Sequence, residues 1–583
     1  MNPTAAGPPS AGADPASTGT ASADMASTGA ASASRWRRAA RHLRSLAPAA
    51  SDYRDLRRTW RGDLAAGVTV GIVALPLALA FGVSSGAGAE SGLVTAIVAG
   101  FVAAVFGGSN VQVSGPTGAM VVVLGPIIAA HGAGVLAVVC LFAGLIVLAA
   151  GALRLGRAVT YIPWPVIEGF TLGIAVIIFL QQVPAALGVA PGPSPNAAVA
   201  AAEAIPTAAW PELGWSLGIV AAVAAIMLVA PRIHRRFPGS IVAIVAVSAI
   251  AAGFGLPVDT IGELPAGLPA PTLPNTDWAT LAGLAGPAFA VAALAAIESL
   301  LSARVAASIS DTGPYDADRE LVGQGLASVA AGFFGGMPAT GAIARTAVNV
   351  RSGGRTRLAA ITHAALLLLV VSFGAAVVAE IPLAALAGVL MVTAFRMISI
   401  TTVRTVVGST RADAIVFGVT AIITVSFDLV YAVLIGIAAA AFFALRALAR
   451  SSGVHREELP GPAEPGDERI ALFRLEGALF FGAAERMLER VGDIRGIEVV
   501  IIRMSQLQIL DATGAQVITE LITALERRGV TVLVKGIQTR HLRLAERVGV
   551  IASLRHQNHL FDELAPAVEH ARSHVRRAEA ARD

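Results

Sequence analysis

The sequence predicts a polytopic α-helical membrane protein with fourteen transmembrane segments arranged as a 7+7 inverted repeat containing two half-helices, followed by a small cytoplasmic α/β domain. Three observations predict it. Of 583 residues, 55% are hydrophobic and only 14% charged, whereas a soluble globular chain carries about 25% charged residues. Apolar runs of spanning length recur, as at 213–231, 279–303, 359–379 and 412–427. Finally, "GPTGAM" at 115–120 returns as "PATGAI" at 338–343.

Residues 1–34 are mostly Ala, Ser, Gly, Thr and Pro, with only Asp14 and Asp24 charged. They cannot build a core and carry no apolar stretch of signal-peptide type, so they read as a disordered tail. Nine arginines between 35 and 61 make 35–62 a basic segment, suited to anchoring the chain at the cytoplasmic face. The transmembrane domain follows over 63–450, with segments starting near 63, 91, 115, 133, 163, 213, 239, 279, 320, 339, 357, 384, 412 and 429.

Arginine placement tests this count independently. With a cytoplasmic N-terminus every even connection should hold positive charge. Those connections contain Arg154 and Arg157; Arg232, Arg235 and Arg236; Arg304 and Arg319; Arg351, Arg355 and Arg357; Arg404 and Arg411. The odd ones, such as 184–212, 254–278 and the turns at Glu380 and Asp428, hold acids and no Lys or Arg. Both termini are therefore expected in the cytoplasm of a multi-pass protein of the cell membrane, in contact with lipid.

The net charge of +4 comes from arginine, since Lys535 is the only lysine, and without clustered aromatics it does not point to nucleic acid. The lone Cys140 permits no internal disulfide. There is no H-E-x-x-H, no P-loop lysine and no Cys/His metal motif, so neither an enzyme nor a cofactor nor a metal site is expected. After Arg450 the composition changes. A polar, proline-rich linker over 451–468 leads into 469–577, where "RIALFRLE", "ALFF", "IEVVIIRM" and "VTVLVKG" read as strands, and "GAAERMLERV" and "ATGAQVITELITALERRG" as helices.

The repeat aligns Thr117-Gly118-Ala119-Met120 with Thr340-Gly341-Ala342-Ile343 at an offset of 223, which also carries the start of the first span near 64 onto Gly286-Pro287 in the eighth. Seven spans is an odd number, so the halves insert in opposite orientations, the pattern of secondary transporters with paired, interrupted helices. Two half-helix N-termini then converge, and their free N–H groups and dipoles make an anion site. Arg345 would reinforce it. Its cost of about 2.5–3.5 kcal/mol at the bilayer centre would be offset by facing a wet cavity and a bound negative charge. The alternative is close helix packing by Gly and Thr, with Arg345 snorkelling to the cytoplasmic surface.

"DLAAGVTVGIVALPLALAFG", "VQVSGPTGAM", "AAIESLLSARVA" and "ELVGQGLASVAAGFFGGMPATGAIARTAVNVRSGGRT" resemble the SulP family of anion transporters, also called solute carrier family 26, and "VVIIRMSQLQILDATGAQVI" looks like its STAS domain. The resemblance covers roughly 55–575. It implies a core domain moving against a gate domain, usually in a homodimer, and a substrate site made by Phe81, the backbone of Thr117, Gly118 and Ala119, the backbone of Gly341, Ala342, Ile343 and Ala344, and Arg345. Many relatives have glutamine where this chain has Leu77.

Glu298 and Ser302, one turn apart on the same face, match a carboxylate and hydroxyl that in the family are associated with a coupling cation, so the resemblance implies a cation site here. A glutamate buried in a bundle could exchange a proton, and the two oxygens could instead serve sodium. A structural glutamate, or a partner for Arg345, is the alternative. Glu168 and His363 read as structural or interfacial. Asp316, Asp318, Arg319 and Glu320 read as a solvated cap for the ninth helix. In the STAS-like domain Ala512 stands where relatives of the module carry a phosphorylated serine, leaving Thr513 as a regulatory candidate, or a helix cap together with Asp511. The expected function is symport of a small anion by a secondary active transporter, sulfate first on family frequency alone, with bicarbonate or a dicarboxylate as other substrates. The rivals are an uncoupled channel or exchanger of the same fold and a nucleobase permease.

Overall fold

The computed structural model describes residues 44–157, 162–194, 196–233, 238–265, 267–274, 278–427, 429–451, 453–479 and 496–582. The expected tail at 1–34, the basic stretch to 43 and the expected helix at 482–491 lie outside them. Two compact units result, Met1–Ile437 and Ala438–Asp583.

The first unit is built from helices because a chain in lipid must satisfy its own backbone. Along the chain come α1 Leu56–Ser84, α2 Ala89–Phe106, α3 Gly118–His131, α4 Leu136–Ala152, α5 Trp164–Gln181, α6 Glu212–Ile233 and α7 Gly239–Phe254. After them come α8 Trp278–Ile309, α9 Ala317–Phe333, α10 Ile343–Arg351, α11 Arg357–Ala379, α12 Leu383–Met397, α13 Ile400–Ser409, α14 Arg411–Ser426 and α15 Leu429–Ser451. Among the described residues nine helices are long and apolar enough to cross a membrane; α3 and α7 are apolar but shorter. Helix α13, which periodicity did not reveal, is started by Ser399, whose Oγ accepts the Thr402 amide at 3.2 Å.

Small residues bring the helices together, as expected where apolar burial from water is absent. A Cβ on Gly67 of α1 would sit 2.4 Å from the Ala359 carbonyl of α11, and one on Gly173 of α5 would sit 2.4 Å from Thr424 Cβ of α14. Either addition would push a helix pair apart.

The acidic start of α9 differs from the solvated cap expected. Asp316 does cap the helix, its Oδ1 accepting the amides of Asp318 and Arg319 at 3.0 Å each. Arg319 and Glu320, however, are buried. Glu320 accepts from the Gly108 and Ser109 amides at 2.8 and 3.2 Å and from Gln324 Nε2 at 2.9 Å. Arg319 grips both carboxylate oxygens of Asp52, at 3.1 and 2.6 Å. The turn after α2 leaves amides without helical acceptors, and the glutamate supplies one.

The second unit carries a five-stranded sheet in the order β3-β4-β5-β6-β7, comprising β3 Gly453–Glu457, β4 Ile470–Leu479, β5 Val499–Leu510, β6 Thr531–Lys535 and β7 Leu560–Phe561. The strands β4 to β7 are parallel and β3 is antiparallel to β4. Helices α16 Ala512–Arg527, α17 Thr539–Val548 and α18 Leu564–Ala580 complete it. One face of the sheet packs Phe473 and Ile502 against Ile518 and Ile522 of α16, and the other packs Leu472 and Ile501 against Ala571 and Val575 of α18. Burial on both faces explains why β4 and β5 read as continuous apolar runs.

The stretch 451–468, read as a linker, contains β3. Its sequence is polar because an edge strand needs pairing on one side only. Ion pairs hold it, with Glu457 between Arg474 at 2.7 Å and Arg503 at 3.0 Å.

Candidate functional site

Two segments of the first unit leave helical conformation in its interior, between α2 and α3 and between α9 and α10. Pro116 and Pro338 each lack an amide donor, which suits a break in helical backbone. Each supplies what the other lacks. The two-residue strand β1 Ser114–Gly115 pairs antiparallel with β2 Thr340–Gly341, Ser114 opposite Gly341 and Gly115 opposite Thr340. The Ala342 amide extends the ladder by donating to the Val113 carbonyl at 2.8 Å. All four strand residues are buried, as irregular backbone at membrane depth requires.

Helices α3 and α10 start from this seam. The first amide bonded within α3 is Val121, to the Thr117 carbonyl at 3.3 Å, and within α10 it is Thr346, to the Ala342 carbonyl at 2.9 Å. No side chain caps either N-terminus. Thr117 is a residue type that caps well, but its hydroxyl is used elsewhere. The N–H groups of Gly118, Ala119 and Met120, and of Ile343, Ala344 and Arg345, thus have no acceptor in their own helices.

The Thr117 hydroxyl donates instead to Glu298 Oε2 of α8, at 2.8 Å, and the Thr340 hydroxyl donates to the same oxygen at 2.9 Å. The two threonine oxygens are 3.1 Å apart. These are the two positions that the 223-residue offset equates, so the repeat is closed upon a single carboxylate. The next residue, Ser299, accepts the Gly341 amide on its Oγ at 3.1 Å, and its carbonyl accepts Gln112 Nε2 at 3.3 Å. A Cβ on Gly341 would lie 1.7 Å from that nitrogen, so any larger residue here would have to displace the Gln112 amide from the Ser299 carbonyl.

Arg345 reaches back across the seam, and its Nη2 donates to the Pro116 carbonyl at 2.6 Å. Its Nη1 has no hydrogen-bond partner among the described residues. At 2% exposure the residue neither faces a wet cavity in this conformation nor snorkels to a surface. The carbonyl preceding α3 draws the guanidinium inward, since helix geometry offers that oxygen no early donor.

Ser302 is also placed differently from the expected pairing with Glu298. It is fully buried, with Oγ 3.5 Å from Thr346 Oγ1, and no hydrogen bond joins it to Glu298 among the described residues. One turn of α8 carries it beyond the seam onto α10.

Phe81 does stand at the site. A Cβ on Gly118 would lie 3.4 Å from its Cε1 and 2.2 Å from Cδ1 of Ile178, which α5 presses onto the start of α3. The other half-helix is open, with Ile343 42% exposed. A cavity of about 710 Å³ runs along α1, α3, α5, α6 and α12, with Ser84, Gly125, Gln181, Glu212 and Leu386 in its wall. Ile178, Ser299, Gln112 and Gln324 escaped sequence reasoning. For the glutamines a signal existed, since each is a lone amide in an apolar motif, "VQVSGPTG" and "ELVGQGLA". Ile178 had none.

Of the remaining candidates His363 lies beside the seam, since a Cβ on Gly100 of α2 would be 3.3 Å from the Ser114 carbonyl oxygen and 3.7 Å from His363 Cε1. Glu168 accepts from Trp164 Nε1 at 2.9 Å at the start of α5, His363 is fully buried on α11, and Leu77 is buried in α1. In the second unit Asp511 alone caps α16, accepting the Gly514 amide at 2.7 Å, and Thr513 is exposed.

Residues 60–420 match the model of the sulfate permease family and residues 462–567 that of the STAS domain. The chain is 32% identical over 515 residues to the putative sulfate transporter YvdB of Bacillus subtilis, covering 86% of this chain and 96% of that one. It is 35% identical to the transmembrane domain of a cyanobacterial bicarbonate transporter, BicA, whose structure it matches with a TM-score of 0.58 over 66% of this chain and 97% of that domain. The murine solute carrier 26 family member A9, an anion transporter solved in the inward-facing state, shares the fold with a TM-score of 0.76 over 88% of this chain and 91% of its own, at 17% identity.

Proposed function

The chain belongs to the sulfate permease family of membrane anion transporters, and from that premise we propose that it is a secondary active carrier whose anion sits at the seam between α3 and α10. The observation that carries the reading is the pair of uncapped helix N-termini joined by β1 and β2. Amides of Gly118, Ala119, Ile343 and Ala344, with the backbone of Thr117, are the donors, Phe81 forms the apolar wall, and the Gly341 and Ala342 amides, bonded to Ser299 Oγ and the Val113 carbonyl, hold the seam in place. Two positive dipole ends favour a small anion there, and Arg345 adds a full charge from beneath the seam. Backbone dipoles read charge more than shape. Sulfate, as in the name of YvdB, and bicarbonate, as in that of BicA, are both substrates of the right size and sign.

Glu298 is the coupling residue of this proposal. Its carboxylate contacts both halves of the site through Thr117 and Thr340, so gain or loss of its charge is felt by both half-helices at once. A proton is the simplest coupling ion. Sodium is the second reading, favoured by the three oxygens of Glu298, Thr117 and Thr340 lying together, since a hard cation needs several. The wider arrangement proposed is fourteen spans in two inverted halves over 63–450, a cytoplasmic STAS domain over 469–577, both termini cytoplasmic, and a homodimer in the cell membrane.

The test is uptake of radiolabelled sulfate, bicarbonate, nitrate and a dicarboxylate into proteoliposomes, with and without inward proton and sodium gradients. Wild-type protein should accumulate one of these uphill on one gradient, and Glu298→Gln should still exchange anion but lose that accumulation. Gradient-driven uptake by the variant with unaltered pH and sodium dependence would remove Glu298 from the mechanism. Dissipative flux alone in the wild type would identify an uncoupled channel.

A further inference from the structure

H-E-x-x-H is missing from the sequence, but the second unit assembles a histidine cluster from separate elements. His570 and His574 lie one turn apart on α18 and so share a face, and His559 enters from the turn Gln557–His559 that precedes β7. One ring nitrogen of each lies within 4.8 Å of the other two. We infer that His559, His570 and His574 form a zinc-binding site in the STAS domain, with a fourth position for water or for the neighbouring His556.

The geometry argues for it in two steps. The Nε2 atoms of His570 and His574 are 3.3 Å apart. Two nitrogens bound to one tetrahedral zinc at its usual bond length are separated by roughly 3.3–3.4 Å, so this pair already has the required bite. His559 stands edge-on to both rings, with centroids 5.5 Å from His570 and 5.4 Å from His574. Its ligand nitrogen lies within 4.8 Å of theirs, so a movement of no more than about 1.5 Å brings it to the same distance.

The second step concerns an unpaired nitrogen. The buried Nδ1 of His559 has no hydrogen-bond partner among the described residues. Leaving a buried polar atom unmet is costly, and a metal ion would give it a partner. The ring of His556 lies 5.4 Å from that of His559 and is exposed, within reach of the fourth position. H-x-x-x-H on one helix was the visible part of this pattern; His559 joins it only through the fold.

A metal here would tie α18 to the last strand, so its effect should be read as both binding and stability. Full-length protein in detergent, stripped with a chelator, is titrated with zinc against a chromophoric competitor and melted with and without the metal. One zinc per chain should bind, cobalt in its place should show the intense visible bands of tetrahedral coordination, and zinc should raise the melting midpoint. His570→Ala with His574→Ala should weaken binding at least 100-fold. Because that pair could disturb packing, His574→Gln is measured as well; with an unchanged metal-free melting curve it should lose the zinc-induced shift. Failure of the wild type to compete for zinc, equal binding by wild type and the double variant, or equal loss in the remote His455→Ala protein would each overturn the assignment.

Discussion

Replacing Gly118 by alanine should slow transport, and Ile178→Val should restore much of it. The new methyl would lie 2.2 Å from Ile178 Cδ1 and 3.2 Å from its Cγ1, but only in ordinary contact, at 3.4 Å, with Phe81 Cε1. Because Cδ1 ends a flexible side chain, the clash is relieved by an off-rotamer isoleucine or a small displacement of α5, at a cost of about 1–3 kcal/mol. With 1.4 kcal/mol per factor of ten, that is roughly 5- to 150-fold against the arrangement in which α5 covers the start of α3. A transport cycle passing through that arrangement slows by a similar factor. Ile178→Val deletes the atom in the worst contact for about 0.5–1.5 kcal/mol of core stability. Initial uptake rates in proteoliposomes for the wild type, both single variants and the pair make a double-mutant cycle. A Gly118→Ala carrier at wild-type speed would refute the reasoning. So would a double variant as slow as Gly118→Ala, which would mean that the methyl acts on the amide donors directly.

Arg345→Ala should weaken anion binding in a low-salt detergent assay without abolishing it, because the dipoles and amides of α3 and α10 remain; unchanged affinity would leave the arginine a purely structural role. Asp511→Ala removes the cap of α16 and should lower stability of the second unit by about 1 kcal/mol, read as faster hydrogen exchange in α16. The Asp467 carboxyl is held below the ordinary carboxylate range, first by hydrogen bonds from Arg572 and against the opposing effect of burial. Its folded value is thus lower than its unfolded one, so its contribution is complete above the unfolded value and is lost as pH falls through the folded one. Protection of α18, where Arg572 resides, against hydrogen exchange, taken relative to the intrinsic exchange rate at each pH, should therefore fall as pH drops below about 4, and Asp467→Asn should flatten that dependence.

The parts legible in the sequence were those set by composition and spacing. Apolar runs marked the long helices, and a four-residue match at 115–120 and 338–343 located the seam before any contact was known. Glu298 was legible only through its setting in "AAIESLLSARVA". Which neighbouring hydroxyl meets the seam was not, because Ser299 and Ser302 differ by how α8 is rotated, and a spacing of four residues specifies a shared face without specifying what that face touches. The spacing places Arg345 on the first turn of α10, but its inward course was not legible, since that depends on the carbonyl of Pro116, 229 residues away. The strand β3 escaped because a charged edge strand and a charged linker have the same composition. His559 is distant from α18 until β7 returns the chain to it.

The pairing of β1 with β2 also has a consequence for how the protein is made. Ser114 and Gly115 leave the ribosome about 225 residues before their partners Gly341 and Thr340, which at 5–20 residues per second is a wait of roughly 10–45 s. For that time the amides and carbonyls of the first half's broken segment have no strand to pair with, in surroundings where each unmet group is costly. The first half therefore cannot reach its final form during its own synthesis. It has to be held at the edge of the bilayer or within the insertion machinery until the second half arrives, and the step that completes the seam is the step that finishes both halves together.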